Sequence, residues 1–141
     1  MSVRIALAAA LVALAGPAFA DGVSAPGTKV YFVGLKDGDT IGKDAMIHFG
    51  LKGMGIAPAG VDFPNTGHHH LVVDLAAPPM NDYLPTDNPK IFHYGKGQTE
   101  VSVEALKLTP GKHTLQLVFA DQDHKPHNPP VVSDKITITV K

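Results

Sequence analysis

Three consecutive histidines are the residues of this chain best suited to chemistry. His68, His69 and His70 lie in N-T-G-H-H-H-L-V-V-D-L, residues 65–75, which has the composition of a β-strand. Alternate residues of a strand share one face and lie about 6.5 to 7 Å apart, a spacing at which two imidazoles can bind one metal ion. The apolar residues that follow put His69 on the core side and the other two rings on the opposite face. We therefore predict that His68 and His70 bind a metal ion. His69 is either a third ligand or a ring that closes the end of the core.

A second group of histidines lies in D-Q-D-H-K-P-H-N-P-P, residues 121–130, and its three prolines lower the entropy cost of holding the rings in place. If the strands run up and down, successive loops alternate between the two ends of a sandwich. This loop then shares an end with the one before His68, and His93 approaches the same end from the side. The predicted metal ligands are His68, His69, His70, His93, His124 and His127.

The predicted metal is copper. A site of imidazoles in a chain without Cys suits Cu(II), Zn(II) or Ni(II), whereas Ca and Mg prefer oxygen ligands. Cu(II) binds most tightly in the divalent series, and zinc is the alternative. His48, which points outward in mid-strand, and His113, at the opposite end, are not expected to take part.

A second hypothesis stays open beside the metal site. In it the histidines are structural, and the domain is an interaction module that binds a protein or a glycan. No catalytic motif such as GxSxG occurs in the sequence, so we do not predict an enzyme.

Short β-strands must position these rings. Apolar and polar residues alternate in runs separated by Gly, Pro, Asn and Asp, and no stretch after residue 20 keeps a helical period. The predicted strands are 29–35, 45–53, 68–75, 91–94, 99–105, 113–120 and 133–140. Seven short strands favour an all-β, immunoglobulin-like antiparallel sandwich, and a cupredoxin-like sandwich is the alternative.

Residues 1–20 have the features of a secretory signal peptide. A positively charged start precedes the apolar residues 5–16, and Ala18-Phe19-Ala20 fits a small-x-small cleavage site. We therefore expect export to the periplasm, with a short segment 21–28 ahead of a single sandwich domain, 29–141. No apolar run approaches the roughly 20 residues that span a bilayer, so no membrane span is predicted.

The charge of the chain argues against nucleic acid as a partner. The formal net charge is -1, and removal of the signal peptide takes away Arg4, the sole arginine of the sequence. Arginine is the side chain best suited to paired recognition of phosphates. We expect a metal ion as ligand and another periplasmic protein as a candidate partner.

Two motifs carry a resemblance to a known family. They are G-H-H-H-L at 67–71 and H-x-P-H-x-P-P at 124–130, and the segments 50–60 and 110–115 match as well. On these residues the chain resembles an uncharacterised exported bacterial family, a domain of unknown function, over nearly its whole length from Leu35 onward. The resemblance implies a shared fold and motif set but no established activity, so the metal site must be argued from its own chemistry.

Overall fold

The computed structural model describes residues 22–78 and 80–141, and this part of the chain is an all-β sandwich without helices, which confirms the predicted fold class. The expected signal peptide, residues 1–20, lies outside the described residues. No helix in the described part is long and apolar enough to cross a membrane. The strands are β1 (Lys29–Val33), β2 (Thr40–Ile41), β3 (Met46–Lys52), β4 (Gly55–Ile56), β5 (Thr66–Val73), β6 (Ile91–His93), β7 (Glu100–Ser102), β8 (Gly111–Ala120), β9 (Pro126–Val132) and β10 (Ile136–Val140).

The sandwich consists of one smaller and one larger sheet. The smaller sheet has the order β1-β3-β7 and is antiparallel throughout. In the larger sheet β5 and β8 pair antiparallel, from His68 opposite Ala120 to Val73 opposite Leu115. β4 and β6 occupy the other edge of β5, while β9 and β10 occupy the other edge of β8. β5, which carries the three histidines, is therefore bordered by strands on both sides.

The main core lies between the two sheets, where period-two alternation directs apolar side chains inward. Its best-buried members from β3, β5, β8 and β10 are Ile47, Phe49, Leu71, Leu115, Leu117, Phe119, Ile138 and Val140. Burial of each large apolar side chain contributes about 1.5 to 3 kcal/mol relative to exposure. These strands consequently form the rigid part of the molecule from which the histidines project.

A smaller apolar cluster covers the outer face of the larger sheet. Leu84, from the long connection between β5 and β6, packs with Ile91 on Val72, Val118 and Ala120. Val72 is two residues beyond the second outer-face histidine on β5. The connection between β5 and β6 therefore shields the outer face beside the histidines from water.

The segment 126–132 is a strand and not the loop that the sequence predicts. We predicted a proline-stiffened loop there, but β9 pairs antiparallel with β8, placing Val132 opposite Val118 and Val131 opposite Phe119. Proline cannot donate to a ladder, which argued against a strand, but an edge strand needs ladder bonds on one side alone. The direction of the side chain of His127 is therefore set by the pleat of a strand.

Candidate metal centre

Strand β5 supplies two rings of the site from its outer face. His68 and His70 are two residues apart, so their side chains project to the same side, and their ring centroids lie 4.7 Å apart. Both residues are fully buried, at 0% and 2% exposure. They stand opposite Ala120 and Val118 of β8, which belong to the small outer cluster. The central strand thus fixes two imidazoles in a dry environment.

His93, the last residue of β6, supplies the third ring. The register places it directly beside His70, and it is the most exposed of the histidines on this face. Gly95 leaves the space that the ring occupies, because a Cβ there would overlap the His93 ring and would lie 3.0 Å from the Cβ of Ala59. Close approach of the ring to the backbone, and not turn formation alone, is therefore a reason for glycine at this position.

His124 supplies the fourth ring from the turn between β8 and β9. Its backbone has a φ of 71°, in the left-handed region, and its N–H donates to the carbonyl of Asp121. The Asp121 carboxylate accepts two further N–H groups of the same turn, at 2.9 and 3.0 Å. The carbonyl of His124 in turn accepts the N–H of Leu84 at 2.9 Å. The turn is therefore held at both sides, and its histidine points back over β5.

Together these four rings surround one point. One nitrogen from each of His68, His70, His93 and His124 lies within 4.8 Å of the other three. Nε2 of His93 is 3.1 Å from Nε2 of His68 and 3.0 Å from Nε2 of His124. Four nitrogens bound tetrahedrally at metal distances of about 2.0 to 2.1 Å are about 3.3 Å apart. The spacing of the four nitrogens is therefore compatible with a single ion bound by all of them.

The electrostatics of the site keep the rings in the form that binds metal. Burial is the main cause that lowers the pKa of His68 to about 3 and that of His70 to about 2, and the neighbouring rings lower both further. The pKa of His93 is lowered as well, by burial and by His124. Metal ligation requires neutral imidazole, so the two buried rings are ready to bind at neutral pH without losing a proton.

Unpaired nitrogens mark the buried half of the site. Among the described residues, neither ring nitrogen of His70 has a hydrogen-bond partner, and Nδ1 of His68 has none. A buried polar atom without a partner costs about 1 to 3 kcal/mol. A metal ion bound by these rings would remove part of that cost. The ring nitrogens of His69 and His127 lack partners in the described residues as well, so the convergence of the four rings, and not the missing partners alone, distinguishes the candidate metal site.

Residues 47–141 match the family described as Domain of unknown function (DUF4399). The chain belongs to this family. The resemblance inferred from the sequence motifs is thereby confirmed, and the matched region contains all eight histidines. No curated protein and no solved structure matches the chain. The function of this family domain must therefore be derived from the site itself.

His69 of the family domain lies on the opposite face of β5, outside the group of four. Its ring packs between Phe49 and Phe119, at centroid distances of 5.4 and 5.2 Å, and it is 0% exposed. Burial lowers its pKa to about 4. Two roles were open for this ring, a third metal ligand or a ring that closes the end of the core. Its position on the core side fits the second.

His127 also lies apart from the group of four. Its ring stacks on Phe119 at 5.6 Å, and its Nε2 would lie 2.9 Å from a Cβ placed on Gly67. Gly67 and His69 are two residues apart on β5, so His127 sits on the core side of that strand. Of the six predicted ligands, the structure thus brings together His68, His70, His93 and His124 and leaves His69 and His127 elsewhere.

The remaining histidines are remote from this group and are paired with acids. Nδ1 of His48 lies 3.0 Å from a carboxylate oxygen of Glu100, and both side chains are exposed. Nδ1 of His113 lies 2.7 Å from Asp74, whose other oxygen accepts the N–H of Thr114. The sequence predicts no metal role for these two histidines, and neither belongs to the group that could hold an ion.

Proposed function

We propose that this protein is an exported, periplasmic copper-binding protein whose site consists of His68, His70, His93 and His124. The observation that carries the proposal is the convergence of four imidazole nitrogens, two of them buried, within 4.8 Å of one another. Two of the rings come from one strand, whereas the others come from a second strand and a turn that are distant in sequence. Such convergence is hard to explain as surface histidines placed by chance.

Copper is favoured by the chemistry of the donors. Among the described residues the group contains neither thiolate nor carboxylate, and imidazole binds copper more tightly than the other first-row divalent ions. Residues 1–20 read as a signal peptide and support export away from the reducing cytosol. Zinc is the second candidate, because four nitrogen ligands around one point also suit tetrahedral Zn(II).

Binding or delivery of the metal is a better fit than catalysis. Four protein ligands complete a tetrahedral shell, whereas a catalytic zinc site keeps one position for water or substrate. The exposed ring of His93 offers a route by which an ion enters or leaves. A partner protein that donates or receives the ion would approach at this ring.

The test is metal analysis of tag-free protein, followed by titration. We expect elemental analysis after purification from the periplasmic fraction to find close to one copper per chain. Calorimetric titration of chelator-treated protein should give one site, and holo protein should melt at a higher temperature than apo protein at pH 7.5. Superimposable melts for apo, copper-loaded and zinc-loaded protein would contradict the proposal and would favour the interaction module. Recovery of the protein in the cytoplasm would contradict export.

A further inference from the structure

Two of the four histidines outside the metal group, His48 and His113, have a carboxylate partner, but within the described residues the four rings inside the group have none. His48 lies 3.0 Å from Glu100, and His113 lies 2.7 Å from Asp74. Within the described residues, the four-membered group is made of imidazoles alone. Asp121, in the neighbouring turn, uses its Oδ1 to accept two backbone N–H groups. An ion bound by the four rings therefore keeps its whole charge, with no anionic ligand to offset it.

Burial makes that charge costly. His68 and His70 are 0% and 2% exposed, and the apolar cluster of Leu84, Val118 and Ala120 lies on the same face of the sheet. The cost of moving an ion from water into such a medium grows with the square of its charge, so a doubly charged ion costs about four times as much as a singly charged one. Neutral ligands in a site that is buried on its β5 side consequently favour the lower charge.

The arrangement of the rings points the same way. The six distances between ring centroids of the group span 4.6 to 5.7 Å. In a square the diagonals would exceed the sides by about 40%, whereas the corners of a tetrahedron are equidistant, and the observed rings are closer to the tetrahedron. Cu(II) prefers a tetragonal plane, while a filled d-shell imposes no such preference.

We infer that the site is selective for singly charged copper, and that it holds Cu(I) more tightly, relative to Cu(II), than free imidazole ligands do. This inference rests on the proposed function, because it names the form of copper that the same four histidines prefer. Two independent observations carry it: the absence of a carboxylate from the group in the described residues and the near-tetrahedral placement of the rings. Its direct consequence is a raised reduction potential for the bound ion.

The first test measures that potential in the full protein. Copper-loaded protein is titrated with redox mediators under argon, and copper in excess imidazole at the same pH is the reference. We expect the protein to favour Cu(I) by at least about tenfold relative to the reference. A potential equal to or below that of the reference would overturn the inference and leave copper binding intact. Failure to bind copper in either oxidation state would overturn the proposed function itself.

A matched pair of variants tests the cause. Ala59 lies beside the His93 ring, because a Cβ built on Gly95 would meet both the ring and the Cβ of Ala59. The side chain of Ala59 is half-buried. Ala59→Asp adds a carboxylate there, and Ala59→Asn adds a neutral side chain of the same shape. We expect the Asp variant to lose about tenfold or more of the preference for Cu(I) relative to the Asn variant. Equal potentials in the two variants would contradict the electrostatic explanation. The measurement on the wild-type protein decides the selectivity even if either variant fails to fold.

Discussion

The two faces of strand β5 place the same residue type in two different environments. On the outer face, His68 and His70 meet the rings of His93 and His124. On the inner face, one residue away, the His69 ring packs against the phenyl rings of Phe49 and Phe119, and neither of its ring nitrogens has a hydrogen-bond partner in the described residues. The pleat of the strand alone separates the two environments. Adjacent histidines in a sequence therefore do not imply a common role, and strand parity is the property that distinguishes them.

Removal of both outer rings should have the largest effect. His68→Ala with His70→Ala deletes two of four ligands, and each ligand of a tight four-coordinate site is worth roughly 3 kcal/mol, so affinity should fall by about 10⁴-fold. The matched control is His48→Ala with His113→Ala, which should change copper affinity less than about threefold. Competition titration against a chelator of known affinity measures both. Equal losses in the two double variants would show that parity on β5 does not define the site.

Acid should destabilise the apo protein next most strongly. The folded-state pKa values of His68, His69 and His70, about 3, 4 and 2, lie below the unfolded value of 6.5. The unfolded chain therefore binds more protons below pH 6.5, and stability falls with pH from there until the folded pKa values are reached. Each ring contributes up to about 1.4 kcal/mol per pH unit below 6.5, so three rings over the roughly 1.5 pH units down to pH 5 give a loss of up to about 6 kcal/mol between pH 7 and pH 5.

Urea unfolding at pH 7.5, 6 and 5, in the presence of chelator, measures this loss. His69→Phe removes one of the three rings and serves as the control, since its loss over the same range should be smaller by about a third. A free energy of unfolding that stays constant between pH 7.5 and pH 5 would contradict burial of neutral rings on β5.

The sequence predicts the positions of some strands and histidines better than those of others. Period-two alternation was enough to place the core strands and to separate His69 from its neighbours, because a buried strand in a sheet has one register. The prolines of 126–132 argue against a strand, so the sequence does not predict β9 and places His127 in a loop. The sequence pattern places His93 only at the same end as the other rings. Its position directly beside His70 depends on which strands pair, and local sequence patterns do not encode that.

Replacement of the inner ring should separate stability from metal binding. His69→Phe keeps an aromatic ring between Phe49 and Phe119 and removes two buried nitrogens that lack partners in the described residues. We expect apo stability at pH 7.5 to rise by about 1 to 2 kcal/mol and copper affinity to stay within about threefold. Denaturant melts and metal titration check the two expectations. A large loss of affinity would show that His69 takes part in the site.

The smallest effect is expected far from the metal group, where His113 has the carboxylate that the outer rings of β5 lack. Its pKa is lowered by partial burial but is raised overall by the hydrogen bond and charge of Asp74 and by the carbonyl of Thr109. Because the folded pKa is raised, the stabilisation is fully present below the unfolded value of 6.5 and is lost as pH rises through the folded value. Asp74, whose pKa is lowered, loses its own contribution only as pH falls through its folded value.

The pair therefore stabilises the fold most between these two limits. His113→Gln should cost about 0.5 to 1 kcal/mol near pH 6, a partly exposed ion pair being worth little more, and less at pH 8.5. Copper affinity should be unchanged at both pH values, because the ring lies outside the group of four. Thermal melts of the variant and the wild-type apo protein at the two pH values provide the measurement. A cost that grows from pH 6 to pH 8.5 would mean that His113 acts as a neutral hydrogen-bond donor and not as the charged partner of Asp74.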